Sequence, residues 1–294
     1  MEKIHTIYNN EDGKKKIQNY YESYLNLYNE DFERKFVETR FGKTHVLVAG
    51  PKEGKPLFIL QGGNCINPMT LSWFATLMKE YRVYSPDTIG HPGFSDENRM
   101  SGMDNSFALW VIDLMNHFQI EKAAFAGPSY GGGIILRLAT YFPERIACSI
   151  LYAPAGIILG SKLKMIRKIL IPLLFFKGKG SRKHLQKIAD IMSDGKMKEL
   201  DAEIIGEIFR SSKLEQEMPK ITTDEELQNY KAPTMVICGK KDIFFPGEKM
   251  SQTAKKIIPN LTACHLYDMG HFASEDTLKQ INEDMKRFLT TYYK

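Results

Sequence analysis

The sequence has few cysteines, and none lies close to another. Its four cysteines are spread over 294 residues, without the short spacings that zinc sites and CxxC redox motifs require. Cys148, Cys238 and Cys264 lie in apolar runs, where a buried free thiol is the ordinary environment. The sequence therefore predicts no metal site.

A hydrophobic run long enough to cross a bilayer is also missing. The most apolar stretch, from Ile166 to Phe176, has about half the required length and is broken by Lys168 and Pro172. The first sixteen residues carry charges from the second position onward and have no apolar signal-peptide core. We therefore predict no stable membrane insertion and a cytoplasmic location.

A strong excess of one charge is absent as well. The 40 lysines and arginines and 35 aspartates and glutamates leave a formal net charge of +5, too small a difference to indicate nucleic acid binding. With 43% apolar residues, a chain of this length can bury one large core and carry a substantial insertion. We expect a monomer or homodimer that acts on a small molecule.

Short apolar runs rich in β-branched and aromatic residues alternate with longer helical stretches. This pattern predicts an α/β fold with a mostly parallel sheet covered by helices on both faces. Strands are predicted at 44–48, 57–60, 81–85, 123–126, 148–152, 234–238 and 262–267. Helices are predicted at 14–28, 70–79, 105–118, 133–141, 247–257 and 278–290.

The alternation is interrupted once, between 157 and 230, where the pattern is helical throughout. We therefore divide the chain into three parts. Residues 1–43 form an N-terminal helical extension and first strand region, 44–156 and 231–294 form the α/β core, and 157–230 form a helical cap inserted above the sheet.

The strongest motif is Gly127-Pro-Ser129-Tyr-Gly131, which joins an apolar strand to a helix. This is the setting of a nucleophile elbow, in which a serine on a tight turn points its hydroxyl away from the sheet. Glycines two residues before and after the serine let neighbouring backbone approach closely. The helix N-terminus offers free N–H groups to a developing oxyanion, and the N–H of Tyr130 is one predicted donor.

A second oxyanion donor is expected from a loop after an earlier strand. The segment 57–65 ends in a glycine-rich loop directly after a buried-looking run. Gly63 is the first candidate for this donor, and Asn64 is the alternative.

Together these motifs resemble the α/β-hydrolase superfamily over roughly residues 44–290. Gln61-Gly-Gly resembles the His-Gly-X oxyanion loop, the segment 87–95 resembles the family's Asp-x-x-Gly-x-Gly-x-Ser loop, and 141–146 resembles the segment after the elbow helix. The sequence departs from the family in Gln61 and in an extra residue around Pro92. These departures leave the second oxyanion donor open.

The resemblance implies a catalytic triad in the order serine, acid, histidine, with the acid after the strand that follows the insertion. Asp242 occupies that place, whereas the preceding strand continues without a carboxylate. His271 follows the last strand and is next to a glycine, so it is the predicted base. His91 lies in a loop on the substrate side and is a candidate for lining the pocket, with a structural role as the alternative.

The predicted cap has two halves of opposite charge. Residues 157–198 contain 11 Lys or Arg and 2 Asp or Glu, whereas 199–226 contain 3 and 9. The apolar run in the basic half, including Leu174 and Phe175, is predicted to close over an acyl pocket. Two alternatives remain, namely contact with an anionic membrane surface and ordinary lid packing with solvated lysines.

These features predict a serine hydrolase that cleaves small or medium apolar carboxylic esters without a cofactor, using Ser129, His271 and Asp242. Amides, lactones and thioesters fall within the same class. Two alternatives stay open: the same triad with carbon–carbon hydrolysis or perhydrolysis, and a ligand-binding or signalling protein with a retained triad.

Overall fold

One eight-stranded sheet forms the centre of the computed structural model, which describes residues 6–294. The first five residues of the predicted 1–43 region lie outside the described part. The strands run in the order β1-β2-β4-β3-β5-β6-β7-β8; β2 is antiparallel to both neighbours and all other pairs are parallel. They are β1 Glu33–Thr39, β2 Gly42–Ala49, β3 Pro56–Ile59, β4 Arg82–Pro86, β5 Ala123–Pro128, β6 Ile146–Tyr152, β7 Thr234–Gly239 and β8 Leu261–Tyr267.

The seven predicted apolar runs correspond to β2 through β8, so the predicted fold class is confirmed. β3, β5 and β7 are buried almost throughout, because helices cover both faces of a parallel sheet. β1 is mostly exposed, since Val37 is its single buried residue. It pairs with β2 as the edge hairpin of the sheet, where polar side chains face water.

Helices connect the strands and match the predicted ranges to within a few residues. Two of the predicted helices are longer in the structure, because the elbow helix starts at Tyr130 and the last helix starts at Glu275. The helices are α1 Glu11–Leu25, α2 Asn67–Leu71, α3 Ser106–His117, α4 Tyr130–Tyr141, α5 Lys162–Met165, α6 Ile171–Lys179, α7 Arg182–Ser193, α8 Glu199–Ser211, α9 Asp224–Leu227, α10 Gly247–Ile257 and α11 Glu275–Tyr292. Short 3-10 helices span Ser72–Lys79 and Pro143–Arg145, and a π-helical turn, Ile166–Leu170, joins α5 to α6.

The segment between β6 and β7 contains α5 through α9, but it is not helical throughout as predicted. Residues 213–223 are irregular. Their backbone groups bond to loops of the core instead of to each other: Lys220 N donates to Gly102 O at 3.0 Å and Thr222 N to Gly156 O at 2.7 Å. These bonds replace the hydrogen bonds that a helix would supply.

The helix α1 packs on both the core and α8. Its side chains Ile17, Tyr21 and Tyr24 are buried. The Tyr21 hydroxyl donates to Asp87 Oδ1 at 2.8 Å, and the Tyr24 hydroxyl donates to Asp201 Oδ1 in α8 at 3.0 Å. Burial raises the pKa of Tyr21 well above its ordinary value, so this hydroxyl stays protonated as a donor. The first helix therefore holds α8 against the body of the protein.

Candidate active site

Ser129 lies on the turn between β5 and α4 in a backbone conformation that is rare for a residue with a side chain. Its φ is 51° and its ψ is −114°. The turn is held on both sides, because Ser129 N donates to Tyr152 O at 2.8 Å and Ser129 O accepts from Ala155 N at 2.8 Å. Such a conformation costs on the order of 1–3 kcal/mol and persists only where the surroundings impose it.

Glycines on either side of Ser129 make this turn possible. A β-carbon on Gly131 would lie 2.3 Å from Leu60 O, and one on Gly127 would lie 2.8 Å from Gly131 C. Neither backbone atom can move away easily, because Leu60 and Gly131 belong to the sheet end and the helix start. The glycines two residues before and after Ser129 are therefore needed because neighbouring backbone atoms lie directly against them.

Asp242 and His271 form a buried hydrogen-bonded pair at the ends of β7 and β8. His271 Nδ1 lies 2.7 Å from Asp242 Oδ2. The other carboxylate oxygen accepts from Phe244 N at 2.7 Å and from Phe245 N at 3.0 Å. An ionised carboxylate only accepts hydrogen bonds, so this geometry favours the neutral tautomer in which Nδ1 donates to Asp242 and Nε2 keeps a lone pair.

Ser129 and His271 line the same cavity, which has a volume of about 940 Å³. Within residues 6–294 no hydrogen bond is recorded between Ser129 Oγ and His271. A serine–histidine contact of this kind is often long in a ligand-free enzyme and shortens on substrate binding. The three candidate side chains nevertheless lie on the same side of the sheet, at the carboxyl ends of β5, β7 and β8.

The two predicted oxyanion loops also meet at this cavity. Tyr130 is the first residue of α4, and a β-carbon on Gly63 would lie 3.1 Å from Tyr130 Cβ. Asn64 has a φ of 50°, and its side chain bonds to both backbone groups of Glu215. The N–H of the neighbouring Gly62 is already bonded to Thr70 Oγ1 at 3.1 Å. Gly63 and Asn64 both stay candidates for the second donor.

A family model described as the alpha/beta hydrolase fold matches residues 55–277 of this chain. The chain belongs to the α/β-hydrolase family. Two relatives from Bacillus subtilis (strain 168) match nearly the whole length. One, named "Uncharacterized carboxylesterase nap", is 25% identical over 293 residues, covering 95% of this chain and 93% of the relative. The other, "Carboxylesterase YbfK", is 27% identical over 275 residues, covering 92% of each.

A crystal structure shares the fold of this α/β-hydrolase almost from end to end. It is described as naproxen esterase (carboxylesterase NP) from Bacillus subtilis, with a TM-score of 0.83 and 22% sequence identity. The match covers 96% of this chain and 99% of that chain. The likeness of fold therefore extends beyond residues 55–277 to almost the whole chain.

Two predicted substrate residues of this α/β-hydrolase do not line the cavity. His91 is buried behind Tyr130, with the two ring centroids 4.7 Å apart, and neither of its ring nitrogens has a partner within residues 6–294. Burial lowers the pKa of His91 to about 3, so the ring is neutral. Phe175 points the other way and stacks on His184, with ring centroids 5.2 Å apart. Leu174 does line the cavity.

Several cavity residues were missed by the sequence analysis. Phe244, Phe245 and Phe272 directly follow or nearly follow Asp242 and His271 in sequence, so their position beside the candidate triad was a usable signal. Trp73, in the 3-10 helix after α2, and Ile205 and Phe209, in α8, also line the cavity, and helical periodicity did not show that these faces point inward. Met165, Ile169 and Leu173 belong to the apolar run that was predicted to close over the pocket, and they do line the cavity.

Proposed function

We propose that this α/β-hydrolase cleaves carboxylic esters, with Ser129 as nucleophile, His271 as base and Asp242 as the acid that orients the base. The observation that carries the proposal is the 2.7 Å bond between His271 and Asp242 at the cavity that the elbow serine also lines. The carboxylesterase names of two relatives that match over nearly the whole chain support the same class.

In the proposed reaction the Ser129 oxygen forms a bond to the acyl carbon while its proton passes to His271 Nε2. The negative charge on the carbonyl oxygen is stabilised by the N–H of Tyr130 and by an N–H of Gly63 or Asn64. The bond to the leaving alcohol then breaks, and His271 returns the proton to that alcohol.

Deacylation repeats these steps with water. His271 takes a proton from the water as its oxygen attacks the acyl carbon, and the proton returns to Ser129 when the acid leaves. Asp242 holds the imidazole in the tautomer that has a free Nε2 and stabilises the cation that forms. Every step uses side chains and backbone groups of the chain itself, so the proposal involves no cofactor.

The proposed substrate class is a small or medium ester with an apolar acyl group. Apolar side chains form most of the cavity wall, with Trp73, Phe244 and Phe245 on the core side and Ile169, Leu173 and Ile205 on the opposite side. Each methylene buried there is worth about 0.8 kcal/mol. Longer acyl chains are therefore expected to react better until the cavity is full.

The charged groups at the cavity do not contradict this class. Arg99 Nε lies 3.1 Å from Glu215 Oε2, and the Glu215 side chain is nearly buried. The charge of Glu215 is thus paired before substrate enters. The remaining cations, Lys177 and Lys213, lie on the part of the wall formed by the segment between β6 and β7.

Labelling with a serine-reactive phosphonate, together with a panel of esters, tests the proposal. The wild type is expected to be labelled and to hydrolyse esters, and Ser129→Ala is expected to lose both properties while keeping its fold. Ser181→Ala is the matched control, because its side chain makes no capping hydrogen bond at the start of α7.

The two remaining hypotheses predict a result that differs from that of an esterase in the same assay. Labelling that persists in Ser129→Ala would contradict the assignment of the nucleophile. Labelling of Ser129 without turnover of any ester would favour non-ester chemistry on the same triad or a ligand-binding role.

A further inference from the structure

The helical stretch 162–175 exposes apolar side chains on its outer face. Leu163 is 57% exposed and Leu174 is 70% exposed. The buried side of the same stretch consists of Ile169 and Leu173, which pack against the hydrophobic core. We define the outer face by its exposed apolar residues Leu163, Ile166, Leu170, Ile171, Leu174 and Phe175.

The residues interspersed with this outer face are basic. Residues 157–189 contain nine Lys or Arg and no Asp or Glu. Lys162, Lys164, Arg167 and Lys168 are exposed, and within residues 6–294 no ion pair is recorded for any of them. Lys164 and Lys168 share a cavity with Asp190 and Asp194 but form no ion pair with them. The outer face therefore combines uncovered apolar area with exposed basic side chains.

We propose that the outer face docks on the surface of an anionic lipid bilayer. Lysines and arginines that flank an apolar helix face are attracted to acidic headgroups, while the apolar side chains enter the boundary between headgroups and acyl chains. The helix is expected to lie in the plane of the interface, since no helix among residues 6–294 is long and apolar enough to span a membrane.

A second copy of the chain fits this face less well. In a symmetric dimer the same patch faces itself, so Lys164, Arg167 and Lys168 of one copy would oppose those of the other. The nearest acids in sequence, Asp190 and Asp194, lie on the α7 side of Lys164 and Lys168, and no acid is interspersed among the residues of the outer face. An anionic bilayer supplies the opposite charge and the apolar layer together.

The outer face also borders the candidate active site. Leu170 and Leu174 are exposed on the surface and line the cavity at the same time, and Leu173 lies beneath them in the cavity wall. A docked molecule would thus hold one edge of the cavity against the lipid. Docking itself is independent of the proposed ester chemistry, because it needs neither Ser129 nor turnover.

Vesicle co-sedimentation of the full chain tests the proposal. The probes are phosphatidylcholine vesicles with and without phosphatidylglycerol. We expect binding only to the anionic vesicles at low salt and release as salt screens the charges. Leu163→Ser combined with Leu174→Ser, and separately Lys164→Glu combined with Lys168→Glu, should each reduce the partition coefficient by about tenfold or more.

Leu27→Ser is the matched control, because Leu27 is 65% exposed but lies outside the outer face. It should bind like the wild type, and so should Ser129→Ala, which separates docking from catalysis. Circular dichroism and thermal melts verify that the variants fold. Absence of binding to anionic vesicles at low salt, or equal binding by folded outer-face variants, would overturn the proposal. So would a wild-type dimer by light scattering that Leu163→Ser and Leu174→Ser convert to a monomer.

Discussion

The strand ends and the outer face of 162–175 differ in how tightly their residues are packed. At the strand ends Asp242 and His271 are buried, and the turn of Ser129 is held by backbone atoms that leave no space for a β-carbon on Gly131. In the outer face, apolar side chains are exposed, and just after it in α6 a β-carbon on Gly178 would meet no atom within 4 Å. The chain uses close contact where atoms must be positioned and leaves open surface where recognition can tolerate movement.

The largest expected effect concerns the orienting acid at the strand ends. Asp242→Asn should lower turnover by about 10⁴-fold, because the amide no longer selects the histidine tautomer with a free Nε2. Asp268→Asn is the matched control, since Asp268 is mostly exposed and its ion-pair partner among residues 6–294 is Lys241 at the surface. Steady-state kinetics on one ester measure both. A damaging Asp268→Asn beside a nearly silent Asp242→Asn would show that the acid is assigned wrongly.

A pair of glycine substitutions compares the strand ends with α6, the helix that carries part of the outer face. Gly131→Ala should destabilise the protein by about 2–4 kcal/mol or prevent folding, because the new carbon would meet Leu60 O at 2.3 Å. Gly178→Ala lies in α6 with open space around it and should stabilise the protein by up to about 1 kcal/mol. Urea unfolding of both variants measures the difference. Equal effects would show that the contrast in packing has no energetic consequence.

The buried His91 predicts a dependence of stability on pH. Its folded pKa of about 3 lies below the ordinary value of 6.5, so the unfolded chain binds a proton that the folded chain does not. Stability is therefore fully present above about pH 6.5 and is lost as pH falls towards 3, by at most about 1.4 kcal/mol per pH unit. His91→Leu should reduce this slope in urea unfolding, whereas His117→Gln, at an exposed histidine of α3, should keep it. An unchanged slope in His91→Leu would show that the lowered pKa of His91 is not the source of this pH dependence.

The smallest effect concerns the wall beneath the outer face. Leu173→Ala removes apolar area from the cavity, so the ratio of kcat/KM for hexanoyl over acetyl esters should fall several-fold. Phe175→Ala should leave the ratio unchanged, because Phe175 stacks on His184 and does not line the cavity. A uniform loss for all chain lengths in Leu173→Ala would mean that this residue supports the wall without contacting substrate.

Most of the sheet could be predicted from its apolar runs, and β1 is the strand that these runs did not reveal. Runs such as those of β5 and β7 are apolar throughout because both faces are covered, and this pattern is visible in one dimension. The nucleophile elbow was visible for a related reason, since the contacts of Gly127 and Gly131 require those residue types at that spacing. β1 buries only Val37 and so carries no apolar run.

The cavity wall was harder to predict, because it depends on which face of a helix turns inward. The run 165–176 is apolar on both faces, so the sequence could not separate Leu173, which lines the cavity, from Phe175, which does not. The irregular course of 213–223 depends on bonds to Gly102, Gly156 and other distant backbone groups. Contacts of this kind leave no periodic trace in the sequence.

The docking of α1 has a consequence for the order of folding. The Tyr24 hydroxyl meets Asp201, a separation of 177 residues, and the Asn9 side chain bonds to Arg210 O, 201 residues away. During synthesis the helix is made long before α8 exists, so the side of α1 that packs on α8 lacks its partner while most of the chain is translated. We therefore expect α1 to acquire its full protection from amide hydrogen exchange in a late step, after the sheet has formed. A ribosome-stalled chain that ends before α8 would be an exposed, chaperone-binding intermediate.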